Sequence, residues 1–327
     1  MMKHFKSSLA ILFVGIIAAF LWGGFSALAL TLMLSVLEIS LSFDNAVLNS
    51  YVLQKMDARW QKRFLTWGIL VSVFMVRFLL PIMIVSMITH LSITEITILA
   101  LKNPAEYSKH LEASKASISA FGGMFLLMVF LSFIFDHKKN IHWLGVLEKK
   151  LSQIGKLGLI EMILALSILI IIQLIAPESQ KLEIIVSGSI GIILFVVLNI
   201  LTALLNRQIT HVKHSGFVQF LYLEILDASF SLDGVIGAFA ITKDIVVILL
   251  GLTIGAIFVR SLTIFLVHKG TLTKYRYLEH GAHYAIGALA LIMLANIRVH
   301  IPEIVTGFIG VSLIGLALAS SIRESRG

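Results

Sequence analysis

The chain contains no cysteine. That excludes disulfides, thiolate metal ligands and cysteine nucleophiles. It has only four prolines in 327 residues and no long polar tract, which leaves no room for a large soluble domain. Charge is scarce as well. Only 13% of the residues are charged, where a soluble globular protein carries about a quarter. What remains is apolar: 58% of residues are hydrophobic and the mean hydropathy is +0.97. A bilayer core of about 30 Å needs about 20 apolar residues per helix, and many such runs are present. The sequence therefore reads as an all-α, polytopic helical membrane protein. The net charge of +8 is assigned to basic loops facing the cytoplasm, not to a nucleic-acid surface.

Ten apolar segments are expected to span the bilayer, at about 8–24, 26–53, 63–89, 117–135, 158–176, 183–205, 216–242, 245–267, 281–297 and 302–322. The N-terminus imitates a signal peptide, with Lys3 and Lys6 before an apolar run and Ala27-Leu28-Ala29 as a cleavage-like site. The expectation is a retained first helix, because the repeat described next needs it. If the N-terminus is inside, 18 lysines and arginines fall on the side of the two termini and 6 on the other. The positive-inside rule then places both termini in the cytoplasm. The expected location is the inner membrane of a bacterium.

The chain repeats itself. Glu38-Ile-Ser-Leu-Ser-Phe-Asp-Asn45 pairs with Asp227-Ala-Ser-Phe-Ser-Leu-Asp-Gly234. A second pair follows in the same order: Gly68 and Arg77, nine residues apart, match Gly251 and Arg260 at the same spacing. His110-Leu-Glu112 before Gly123 weakly matches Tyr277-Leu-Glu279 before Gly287. The halves are 1–177 and 178–327, five segments each. An odd number sends the second half into the membrane from the opposite side, which makes an inverted repeat. Secondary transporters are often built this way, with substrate near the midplane at the repeat interface.

Ionisable residues inside a membrane are costly and mark function by default. At 100° per residue, Glu38, Ser42, Asn45 and Asn49 share one helix face, and Asp227 and Ser231 form the same stripe in the second half. Asp44 and Asp233 fall off that stripe. Either each helix presents two polar faces, or it unwinds near the Ser-x-Asp step, as transporter helices do at binding sites. Two roles are open for Asp44 and Asp233: ligands, or interhelical clamps to Arg77 and Arg260 respectively. Glu38 and Asp227 have no second obvious partner in the sequence. Carboxylate, amide and hydroxyl oxygens are hard ligands that suit Mn²⁺, Mg²⁺ or Ca²⁺ better than Cu or Zn. The candidate metal residues are Glu38, Asp44, Asn45, Asp227 and Asp233. Ser42, Asn49, Glu224, Ser231 and His283 are accessory candidates, and Arg77 and Arg260 neutralise charge. Met33, Met75 and Met83 are read as packing residues, and Glu161 as a helix-start acid.

At these residues the chain resembles the TerC family of bacterial membrane proteins, within the lysine-exporter-like superfamily. The resemblance is carried by Glu-x-Ser-Leu-Ser-x-Asp-Asn at 38–45 and Ser-x-Asp-Gly-Val-x-Gly-Ala at 231–238. It implies export of Mn²⁺ from the cytoplasm, with site roles for Glu38, Asp44, Asn45, Asp227 and Asp233. Gly234 departs from the family's usual Asn and removes one potential oxygen ligand.

The leading expectation is a divalent cation transporter, a Mn²⁺ exporter working by alternating access. It is no enzyme, it holds no prosthetic group, and its partners are lipid and the metal substrate. Three other readings compete: an organic or amino-acid exporter of the lysine-exporter type, an intramembrane aspartyl protease using Asp44 and Asp233, and a scaffold whose polar residues serve packing only.

Overall fold

A backbone in lipid must satisfy its hydrogen bonds within itself, and a chain this apolar meets that demand with helices. The structure, a computed structural model, describes residues 2–89, 91–155, 159–208, 216–268 and 275–324, and no strand occurs among them. Among the described residues, six helices are long and apolar enough to cross a membrane. Outward-facing Phe13, Leu21, Phe25, Leu174, Leu182 and Phe308 are exposed, giving an apolar surface of the kind a bilayer covers. Met33, Met75 and Met83 are exposed in the same way. Helical segments overlie all ten stretches expected from hydropathy.

The chain forms two compact units, and each takes segments from both sequence halves. The first comprises Met1–Lys115 and Phe220–Lys269, the second Ala116–Gln219 and Gly270–Gly327.

In the first unit, α1 (Met2–Leu41) and α12 (Ile245–His268) are the main packed pair. A straight helix of 40 residues would be about 60 Å long, twice the bilayer core. It is broken at Gly23 and at Gly24, where φ is 65° and ψ −150°, a conformation that L side chains rarely adopt. The chain reverses there. Ser8 hydrogen-bonds the Ile257 carbonyl and Ser261, and Gly15 packs on Ile254, in antiparallel order along α12. Trp22 reaches Asp244 at the start of that helix, with Nε1 donating at 2.9 Å. After the turn, Ser35 donates to the Gly251 carbonyl at 3.1 Å and Glu38 packs on Gly255, now in parallel order. Small residues and short hydroxyls let two backbones approach where no hydrophobic force separates protein from lipid.

The chain continues through α2 (Phe43–Lys55), α3 (Ala58–Leu70), a nine-residue π-helical segment (Val71–Leu79) and α4 (Leu80–Thr89). Asp57 caps α3 by accepting from Arg59 N and Trp60 N. The stretch between the third and fourth expected spans folds as two short helices, α5 (Ile93–Lys102) and α6 (Pro104–Ala113), and a Ser92/Glu95 capping box starts α5. The unit is completed by α11 (Gly216–Ile241), from Phe220 onward.

The second unit holds α7 (Lys115–Ile134), α8 (Val146–Ile154), α9 (Ile160–Ile175), α10 (Lys181–Gln208), α13 (Leu278–Ala295) and α14 (Glu303–Glu324). Helix α7 is apolar all round and buried over most of its length, as a helix without a polar face must be. Gly281 packs on Ala317 to join α13 and α14. Glu161 lies in the first turn of α9, as expected.

Candidate functional site

The first unit gathers the polar residues of both motifs. Glu38 stands near the end of α1 and is almost completely buried. Its Oε1 accepts from Ser42 Oγ at 3.0 Å and from Arg77 Nη2 at 2.5 Å. Arg77 is carried by the π segment, buried, and its Nη1 lies 3.8 Å from Asp227 Oδ2. One guanidinium thus bridges the leading acids of the two motifs. The opposite Asp227 oxygen, Oδ1, accepts from Asn45 Nδ2 at 2.7 Å. Glu38, Ser42, Asn45 and Asn49, the stripe expected from helical angles, are all buried.

Of the two roles left open for Asp44, the clamp is not the one found. Arg77 does not clamp Asp44; it pairs with Glu38 and Asp227, which therefore do have a second partner. Asp44 begins α2 and accepts from the Asn45 backbone N–H at 2.9 Å, a favourable place for an acid at a helix N-terminus. Arg260 donates from Nη2 to the Phe64 carbonyl at 2.8 Å. The side chain of Asp233 lies outside the described residues.

Gly234 has a further role: its lack of a side chain makes room for Glu38, since a methyl group there would stand 3.0 Å from Glu38 Oε2. Gly255 does the same more tightly, since a methyl group would meet Glu38 Cβ and Cγ at 2.5 Å. The sequence reading missed Gly255. The signal was available in the Gly251-x-x-x-Gly255 spacing, which brings membrane helices close.

Of the two alternatives, two polar faces or an unwound helix, unwinding occurs only in the first motif, and it is slight. Ser42 (φ −100°, ψ 14°) separates α1 from α2, yet Ser42 N still bonds Glu38 O and Ala46 N still bonds Ser42 O. Helix α11 runs through the second motif without a break.

Beside the Arg77 bridge lies a cavity of about 40 Å³, lined by Asn49, Gly68, Arg77, Glu224, Asp227 and Arg260 among others. That is room for more than one water-sized body. Glu224 is 6% exposed and neither of its carboxylate oxygens has a hydrogen-bond partner. Asn49 Oδ1 and Ser231 Oγ are likewise buried without one. Gly68 gives Glu224 its space, because a methyl group there would stand 2.8 Å from Oε1. Of the residues with unpartnered oxygens, Glu224 and Asn49 line the cavity. His283 belongs to the second unit, stacked on Phe133 at 3.9 Å, with Nδ1 2.9 Å from the Glu279 carbonyl.

The second unit has its own buried charge cluster. Glu148 is fully buried, pairs with Lys139, accepts from Leu144 N and lies 3.3 Å from His280 Nε2. Burial alone would raise its carboxyl, but the hydrogen bonds from His280, Lys139 and Leu144 outweigh that and hold it at about 2. These partners tie the 136–145 connection to α8 and α13, and His280 Nδ1 is buried without a hydrogen-bond partner.

Among families, the model of the one described as "Protein of unknown function (DUF475)" matches residues 43–327. No curated protein matches the chain. No solved structure matches it.

Proposed function

The chain belongs to the DUF475 family, and we propose that it is a transporter of hard divalent cations, a Mn²⁺ exporter of the inner membrane. The observation that carries this reading is the cavity beside the Arg77 bridge, where buried Glu224, with no hydrogen-bond partner on either carboxylate oxygen, meets Asp227 and the unpartnered Asn49 Oδ1. The ligand atoms on offer are carboxylate, amide and hydroxyl oxygens, which favour Mn²⁺, Mg²⁺ or Ca²⁺. The resemblance to TerC selects Mn²⁺ and the outward direction.

Alternating access rests on an inverted repeat of ten spans, and matched positions support it by making reciprocal contacts. Asn45 contacts Asp227, while Gly234 in the matched place contacts Glu38. Ser35 contacts Gly251, while Glu224 in the matched place contacts Gly68. A two-fold relation between the halves accounts for both pairs. The acids hold metal in one half of the cycle and protons in the other, and both termini face the cytoplasm.

The test is flux into proteoliposomes, comparing Mn²⁺ with lysine. Saturable Mn²⁺ flux that Asp44→Asn abolishes supports the proposal. Lysine flux without Mn²⁺ flux replaces the cargo with an organic one, and unaltered Mn²⁺ flux in Asp44→Asn removes Asp44 from the site.

A further inference from the structure

The 40 Å³ cavity has a neighbour. A second cavity of about 20 Å³ is lined by Arg77, Ile82, Tyr107, Val235, Phe239 and Ile248, among others. Arg77 is the residue that lines both. The two cavities are stacked along each helical stretch that both of them touch. On α12 the small one meets Ile245, Ile248 and Leu249, and the large one Ala256, Val259, Arg260 and Thr263. On α11 the order is reversed, as an antiparallel neighbour requires, with Glu224 and Asp227 at the large cavity and Val235 and Phe239 at the small one. On the α3–π–α4 stretch, Phe64 and Gly68 line the large cavity, Phe78 and Ile82 the small one, and Arg77 stands between them. The glycines that cradle Glu38 occupy the same level: Gly255 lies just before Ala256 on α12, and Gly234 just before Val235 on α11. The bridge of Glu38, Arg77 and Asp227 is therefore the partition between two hollows.

We propose that Arg77 is the barrier of the transport pathway. Its guanidinium, held by one acid from each half, closes the large cavity from the small one. A cation crosses only when Arg77 releases Glu38 and Asp227. This rests on the transport reading above and adds the element that moves. The π segment supplies the means. Such segments are rare, are mostly single-turn bulges, and occur at functional sites. Here one extends over nine residues and carries Arg77 near its end. Returning it to α geometry turns Arg77 about the helix axis and breaks its hold on both carboxylates. The small cavity is lined by the edge-on pair Tyr107 and Phe239, with ring centroids 5.3 Å apart, and none of the described residues lining it is a carboxylate. It is suited to letting a cation go, whereas the large cavity, with Glu224, Asp227 and Asn49, is suited to taking one up.

The natural absence of cysteine makes the test direct. Single cysteines are placed by Thr263→Cys in the large cavity and by Ile248→Cys in the small one. These positions are about 22 Å apart along α12. Silver ions are applied to one face of right-side-out or inside-out vesicles, and protection from later maleimide labelling in denaturant is read. In the native background each cysteine is expected to be protected from one face only, and from opposite faces. In an Arg77→Ala background both are expected to be protected from either face, while Arg77→Lys, which keeps a charge, retains part of the sidedness. Protection of both cysteines from the same face in the native background overturns the proposal whether or not the variant folds. Full sidedness in folded Arg77→Ala overturns it too. The readout needs no transported metal. Loss of sidedness in Arg77→Ala without Mn²⁺ flux in the native protein rejects the cargo and keeps the barrier.

Discussion

Replacing Gly255 by alanine adds one methyl group against the side chain that anchors the site. That methyl would stand 2.5 Å from Glu38 Cβ and Cγ and 3.0 Å from the Ser35 carbonyl oxygen. Neither neighbour yields cheaply, because Cβ is fixed to the α1 backbone and the carbonyl is backbone itself. Overpacking a close contact costs about 1–3 kcal/mol. Alanine recovers up to about 1 kcal/mol of helix propensity over glycine. The net expectation is a loss of about 1–2 kcal/mol. Gly315 in α14 provides the control, since a methyl group there meets nothing within 4 Å. Gly315→Ala should be neutral or stabilising by up to about 1 kcal/mol. The assay is the apparent melting temperature of the purified protein in mild detergent, run on both variants side by side. Gly255→Ala melting at or above the native temperature would refute the close approach of α1 and α12 at Glu38.

Arg77→Gln leaves Glu38 and Asp227 facing each other without their cation. Breaking a buried ion pair from one side costs about 3–5 kcal/mol, so a large drop in melting temperature is expected. Adding Glu38→Gln should recover part of that drop, and absence of any recovery would show that the pair is not coupled. Glu148 gives a pH prediction. Its carboxyl lies at about 2 in the folded protein against an ordinary 4.5. Its contribution is therefore complete above pH 4.5 and is lost as the pH falls through 2, up to about 3 kcal/mol. Melting followed from pH 6 to pH 2 should show a shallower acid decline in Glu148→Gln than in the native protein, and equal declines would remove Glu148 from the account.

Hydropathy made the helices legible, because lipid leaves an apolar chain few other choices. The matched motifs made Glu38 and Asp227 legible as one cluster. What stayed hidden was the pairing of Arg77. Helical angles computed at 100° per residue do not hold across the π segment from Val71 to Leu79, so the direction of Arg77 was not readable from its spacing. A clamp to Arg77 is one of two roles that the sequence leaves open to Asp44, because opposite charges at unassigned positions can pair. The structure shows Asp44 at the start of α2, accepting from the Asn45 backbone. Gly234 reads in the sequence as a missing ligand oxygen, but a sequence does not show what fills the space it leaves. Its partner, Glu38, lies nearly 200 residues earlier in the chain. His283 shares the second half with Asp227 but folds into the other unit, a separation that motif order alone does not reveal.

We propose that the buried acids of the first unit hold one hard divalent cation, and equilibrium dialysis of the purified protein against Mn²⁺, Mg²⁺, Ca²⁺ and Zn²⁺, with Glu38→Gln and Glu224→Gln alongside, is the decisive measurement. Saturable binding of one Mn²⁺ per chain is expected, stronger than Zn²⁺ and weakened in both variants. No saturable divalent binding, or Mn²⁺ binding that both folded variants retain in full, would rule the cation site out.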